Sequence, residues 1–278
     1  MRGKTIALYG DTGTGKTTQI GEYAKELFRT ERKKTLLISA DLGGHDSIRS
    51  LIRLGIIKVV SPTEGGDPWL WVNNATSGAE LDSDVKLIAF DSATSIAESI
   101  LNIITKTPGK VGQQSTQRFT VGSGSGSLTV GANNESHYGL VQSFMLDQIW
   151  RSTWLSSKSY DVLWSFGLDR SERVDASLVV GPKLAGHALT SQIPKWFNFT
   201  FRLVSVPVLG APARHILYLQ EQPDLNGAGV SFGNPRYPIG ATTELPAIIE
   251  PASLVEALRL IEAGQEEAYL RDKEELGL

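Results

Sequence analysis

Residues 10–17 read Gly-Asp-Thr-Gly-Thr-Gly-Lys-Thr, an order of residue types suited to holding a chain of phosphates. Gly10, Gly13 and Gly15 let successive backbone N–H groups turn inward around an anion, with Asp11, Thr12 and Thr14 filling the positions between them. Lys16 carries a cation on a stem long enough to reach β- and γ-phosphates, the Thr17 hydroxyl is a ligand for Mg²⁺, and Thr18 continues the helix. The chemistry implied is the binding of a nucleoside triphosphate, with ATP and Mg²⁺ as the expected ligands.

Such a loop needs a strand to deliver it and a helix whose positive end faces the phosphates. Thr5-Ile6-Ala7-Leu8-Tyr9 forms a strand-like run before the motif, and Ile20, Tyr23, Ala24, Leu27 and Phe28 recur after it at helical spacing. Further runs typical of buried strands lie at 35–41, 56–60, 85–92, 161–166, 199–203 and 215–220, with helical patterns at 46–52, 95–104 and 138–157. Residues 61–84, with Gly65-Gly66-Asp67-Pro68, read as turn-rich. In the helix from 138, the spacing of Leu140, Phe144, Met145, Ile149, Trp150 and Trp154 reads as core packing. The alternation predicts an α/β fold: a mostly parallel sheet flanked by helices on both faces, with the ligand at the carboxyl ends of the strands.

The run Val85-Lys86-Leu87-Ile88-Ala89-Phe90-Asp91 closes on an acid. Many strands end in Asp as a turn or cap residue. With a phosphate loop upstream, the metal role is favoured, because a buried strand holds the Asp91 carboxylate rigidly beside the Mg²⁺.

At 278 residues and 41% apolar content, the chain can bury a large core. The division expected is a nucleotide-binding domain over 1–245 and a C-terminal helix with an acidic tail over 246–278, the helix presenting Leu254, Ala257, Leu258 and Ile261 on one face. No run approaches the roughly 18 apolar residues of a membrane span, and no signal-peptide core follows Met1; a cytoplasmic protein is expected, that of the host cell if phage-encoded. The absence of cysteine excludes disulfides and thiolate metal sites, and the four histidines are scattered. Net charge is -3, and the stretch from Glu262 onward carries six acids against two bases, so the acidity is terminal. Residues 105–136 form a polar Gly/Ser-rich stretch with Lys106, Lys110 and Arg118 against the single acid Glu135, expected to be a flexible loop that orders on a polyanion.

The order and spacing of the phosphate loop, the strand ending at Asp41, the strand ending at Asp91 and the loop after it resemble the RecA-like core. Gly181-Pro182-Lys183-Leu184-Ala185-Gly186, leading through Ile193-Pro194 to an aromatic-rich strand, is similar to phage nucleotide-binding proteins of the single-strand annealing group. The resemblance covers residues 4 to 240. It implies ATP hydrolysis, with Lys16, Asp41 and Asp91 as catalytic residues and Thr17 and Asp91 on the metal. Asp41 falls where such proteins place the carboxylate, commonly Glu, that polarises the attacking water; one methylene less slows turnover, and a strand-end turn residue is the other reading of Asp41.

The resemblance also implies single-stranded DNA as partner, met by the 105–136 and 168–188 stretches through Lys106, Lys110, Arg118, Arg170, Arg173 and Lys183. It further implies a ring or filament of copies, with Arg236 reaching the neighbouring nucleotide, and annealing or recombination as the activity. The first alternative is a nucleotide-dependent assembly or regulatory module acting on a protein partner. The second is a small-molecule kinase, for which Asp169-Arg170-Ser171-Glu172-Arg173 is the lid-like stretch.

Overall fold

The computed structural model describes residues 3–41, 44–61, 68–78, 81–106, 118–121, 128–131, 137–172, 178–184, 192–220, 222–223, 230–231, 241 and 244–277. In chain order the first half contains β1 (Thr5–Tyr9), α1 (Lys16–Glu31), β2 (Lys34–Ser39), α2 (Arg49–Arg53), β3 (Ile57–Val60), α3 (Pro68–Ser77), β4 (Val85–Asp91) and α4 (Ala93–Lys106). After these come β5 (Arg118–Val121), β6 (Leu128–Gly131), α5 (His137–Leu155), β7 (Asp161–Glu172) and β8 (Leu178–Lys183). The chain closes with β9 (Phe199–Val208), β10 (Ala211–Tyr218), β11 (Gln222–Pro223), β12 (Val230–Ser231), β13 (Ile248–Ile249) and α6 (Leu254–Glu275).

All five residues of β1 are buried, because the strand has a parallel neighbour on each side, β7 and β9. Across the sheet the order is β3-β2-β4-β7-β1-β9-β10-β13, parallel as far as β9 and antiparallel at β10 and β13. Strands covered on both faces need no polar alternation, which is why β1 and β4 read as continuous apolar runs.

Side chains alternate between two cores. Ala7, Tyr9, Phe90, Trp164 and Phe166 point to the layer of α3, α4 and α5, where Phe90 and Trp164 stack at 3.9 Å. Ile6, Leu8, Leu87, Leu163, Phe199 and Phe201 point to the layer of α1 and α6. Leu254, Ala257, Leu258 and Ile261 join this second core, so the C-terminal helix packs on α1 as its apolar face requires. The protein is therefore an α/β structure with a mostly parallel sheet between helical layers, as the alternation of patterns predicts. Among the described residues no helix is long and apolar enough to cross a membrane.

Four segments depart from the expectations. A helix, α3, occupies part of the turn-rich stretch; Pro68 stands at its first position, where a missing N–H leaves no bond unmade. Within 105–136, expected as a loop, Arg118–Val121 and Leu128–Gly131 pair as an antiparallel hairpin. Beyond Phe166, β7 leaves the central sheet and pairs antiparallel with β8, Gly167 opposite Lys183 and Glu172 opposite Leu178; β12 extends this arm and pairs in turn with β11. Trp150 and Trp154, expected in the core, are 53% and 61% exposed. At 100° per residue they fall on the side of α5 opposite Val141, Met145, Gln148 and Ser152, which are fully buried.

Candidate phosphate and cation site

The loop after β1 is held from both neighbouring strands. The Gly10 N–H donates to the Phe166 carbonyl at 3.3 Å, and a Cβ at position 10 would stand 2.3 Å from the Leu203 carbonyl oxygen of β9. Gly13 (φ +78°) and Gly15 (φ +96°) adopt the left-handed region, which glycine enters without steric cost. The Thr14 hydroxyl donates to the Asp11 carbonyl at 2.8 Å and tightens the turn. Gly15 caps α1 with no side-chain acceptor, and the first turn of α1 has no acid. Its N–H groups and positive dipole end are thus left for an external anion.

Lys16 folds back across this loop, donating from Nζ to the carbonyls of Gly10 (2.9 Å) and Asp11 (2.8 Å). Burial lowers its pKa, opposed by the carboxylates of Asp91 and Asp11. A polyphosphate entering the loop offers the ammonium better acceptors than two neutral carbonyls.

Asp91 ends β4, 6% exposed. Its Oδ2 accepts from the Thr17 hydroxyl at 2.6 Å, and its Oδ1 accepts from the Ser165 hydroxyl on β7. The strand order explains this meeting: β7 lies between β1 and β4, so all three carboxyl ends open on one point. The Asp91–Ser92 peptide is cis. Thr17 and Asp91 supply two hard oxygen donors side by side, and among the described residues no cluster of three or more His, Cys, Asp or Glu could cage a metal. That donor set suits Mg²⁺, which keeps several waters and completes its shell from phosphate oxygens.

These groups open on a cavity of about 590 Å³ that also takes in Asp41, Glu98 and Lys183. Asp41 lies just past β2 and exposed; β2 pairs with β4, Ser39 opposite Asp91, which brings Asp41 to the same cavity. The structure thus gathers Asp11, Thr12, Gly13, Gly15, Lys16, Thr17, Thr18, Asp41 and Asp91. Lys183, expected in a DNA-facing loop, lines this cavity as well.

Arg170 is exposed on the outer arm of β7, and Arg118 belongs to β5. Lys106 is the last residue of α4, with its side chain outside the described residues. Lys110, Arg173 and Arg236 lie wholly outside them. Of residues 169–173, read as a lid-like stretch, 169–172 are a paired strand.

Ser165, Thr94 and Glu98 complete the site beyond the motif residues. Thr94 Oγ1 accepts from the Gly167 N–H and donates to the Lys183 carbonyl, both at 2.9 Å. The signal available in the sequence was a Ser at the end of an otherwise apolar strand and a Thr three residues after Asp91, neither distinctive without the strand order.

A second cavity, about 610 Å³, lies on the other side of Gly15 and Thr18, walled by Ala213, Arg214 and His215 of β10 and by Glu250, Pro251 and Ala252. Gln19 bridges its floor: its amide donates to the Ala252 carbonyl at 3.0 Å and accepts from the Leu254 N–H at 2.7 Å. Arg214 and Glu250 close the rim as a bidentate pair. The Nδ1 of His215 is buried without a hydrogen-bond partner among the described residues and faces Gly15.

Neither family models nor curated proteins match this chain.

Proposed function

We propose that the chain is a RecA-like, phage-type ATPase that binds MgATP, hydrolyses it, and acts on single-stranded DNA in annealing or recombination. The observation that carries the reading is the meeting of Lys16, Thr17 and Asp91 at the carboxyl ends of adjacent parallel strands, on a phosphate loop whose helix end is uncapped. The loop, Asp41 and Asp91, which resemble the RecA-like core in sequence order, also share one cavity.

In this reading the triphosphate lies over residues 11–17 and the nucleoside extends past Gly15 into the second cavity, where the small faces of Ala213, Pro251 and Ala252 accept a planar base. Thr17 and Asp91 would hold Mg²⁺, which would supply positive charge against the charge developing on the transferred phosphoryl group. Ser165 fixes the Asp91 carboxylate through its hydrogen bond. Lys16 leaves the carbonyls of Gly10 and Asp11 for phosphate oxygens. Asp41 accepts a proton from the water that attacks the γ-phosphorus; the new P–O bond forms as the bond to the β,γ-bridging oxygen breaks, leaving ADP and phosphate.

DNA as partner is supported by Arg170. At a strand rise of about 3.3 Å per residue it stands about 10 Å beyond Gly167 along β7, pointing phosphate-binding charge away from the nucleotide. A ring or filament, with Arg236 acting on the neighbouring nucleotide, belongs to the same proposal. The second reading, a nucleotide-dependent module acting on a protein, is favoured by Trp150 and Trp154, edge-to-face at 5.7 Å and exposed on α5.

ATP turnover with and without single-stranded oligonucleotides, in wild type and Lys16→Ala, tests the proposal. Expected is turnover stimulated by DNA and abolished by the substitution, with DNA affinity falling steeply as salt rises. Turnover indifferent to DNA, together with nuclease-resistant capture of a protein, transfers the function to the second reading; no MgATP binding by the wild type overturns both.

A further inference from the structure

Lys183 is the second cation of the phosphate cavity, and it arrives on a different element from Lys16. It is the last residue of β8, pairs with Gly167 of β7, and its side chain is exposed. Two features aim it. Position 167 is glycine, so the aliphatic stem of Lys183 crosses it; a Cβ there would touch Lys183 Cβ and Cδ, each at 3.6 Å. Thr94, three residues past Asp91, bonds both the Gly167 N–H and the Lys183 carbonyl, which ties the root of the β7–β8 arm to the metal-side acid. Lys183 and Lys16 therefore approach one cavity from two sides, with β7, which also pairs with the strand that ends at Asp91, between β8 and β1.

We propose that Lys183 contacts the terminal phosphate of a bound nucleoside triphosphate and couples the β7–β8 arm to its presence. The inference rests on the nucleotide-binding reading above. The loop N–H groups meet the α- and β-phosphates and Lys16 reaches the β- and γ-phosphates from the loop side, contacts that a diphosphate largely keeps. A cation on the far wall meets only the group that extends beyond them. The same residues that position Lys183 continue outward to Arg170 and Glu172, so loss of the terminal phosphate releases a charge-assisted contact at the base of an arm that carries an exposed arginine at its side.

The test is equilibrium affinity for MgATP and MgADP in wild type, Lys183→Ala, Lys183→Arg and Lys16→Ala, with hydrogen exchange of residues 167–172 and 178–183. A charge-assisted contact corresponds to about 10- to 100-fold in affinity, so Lys183→Ala should lose roughly that for MgATP, with MgADP affinity within about twofold of wild type. Lys183→Arg should restore most of the loss. MgATP should slow exchange in the arm more than MgADP in wild type and equally in Lys183→Ala.

Unchanged MgADP affinity also shows that the variant is folded. Equal loss for both nucleotides, or no loss for either, overturns the role of Lys183 while the wild type still binds and Lys16→Ala does not. A wild type that binds neither nucleotide overturns the underlying reading instead.

Discussion

Replacing Gly10 by alanine tests the geometry of the loop most directly. The new Cβ would stand 2.3 Å from the Leu203 carbonyl oxygen and 3.0 Å from the Thr14 hydroxyl, whereas ordinary contact begins at 3.4 Å. About 1.1 Å must be found. β9 cannot supply it cheaply, because Leu203 is paired with Leu217 on β10 and the residues just before it with β1. The loop must therefore move away from β9, taking with it the N–H groups of the proposed phosphate site. Overpacking of this kind costs about 1–3 kcal/mol, equivalent to a fall in melting temperature of roughly 2–5 °C for a chain of this size. A displacement near 1 Å at a reacting centre lowers turnover about a hundredfold. Differential scanning fluorimetry and ATP turnover measure the two effects. Gly55→Ala is the control: unlike Gly10 it is in the left-handed region (φ +69°), and nothing lies within 4 Å of the added carbon, so it should lose stability and leave turnover within about twofold. Wild-type melting and wild-type turnover in Gly10→Ala would refute the contact with β9 as the reason glycine is needed there.

Other substitutions separate metal, nucleoside and protonation effects. Asp91→Asn should weaken MgATP binding by about 30-fold or more while metal-free ATP binding stays within about threefold, read by calorimetry with and without a chelator. Ala213→Trp, filling the cavity beside Gly15, should lower ATP affinity about tenfold or more and leave inorganic tripolyphosphate binding nearly unchanged; equal losses would place the nucleoside elsewhere.

Tyr23 donates to Asp161 at 2.6 Å, and its pKa is raised well above the ordinary value by burial and by that carboxylate. The folded phenol keeps its proton where the unfolded one releases it, so stability should be intact below about pH 10 and decline above it. Tyr23→Phe should cost about 1–3 kcal/mol at neutral pH and show a shallower alkaline decline in urea unfolding.

The parts of the fold legible from the sequence were those with a short-range cause. β1, β4 and the first half of β7 are buried on both faces and read as apolar runs, and the apolar stripe of α6 named its own core face. Where the cause was distant, the reading stopped short. β7 continues past Phe166 only because β8 pairs with it, and Trp150 differs from the buried Ile149 by one step around a helix rather than by type.

The site divides in the same way. Residues 10–17 announce their chemistry because the backbone itself needs those types, and Asp91 follows from its place at a strand end. Ser165, Thr94 and Lys183 acquire meaning from a strand order that no local pattern encodes. The cavity between Gln19 and Ala252 joins residues 233 positions apart.

That last separation bears on how the protein is made. β1 and the loop after it are made before their partners: β1 has no neighbour until residues 162–166 are synthesised and is flanked on both sides only after residue 199. The floor under Gln19 waits for Ala252 and Leu254. A nascent chain therefore carries β1, buried along its whole length once folded, unpaired until β7 is made, and sequence-distant pairing of this kind is slow and exposed to aggregation. The second cavity, walled by β10 and by Glu250, Pro251 and Ala252, therefore forms only after β1 has found both neighbours.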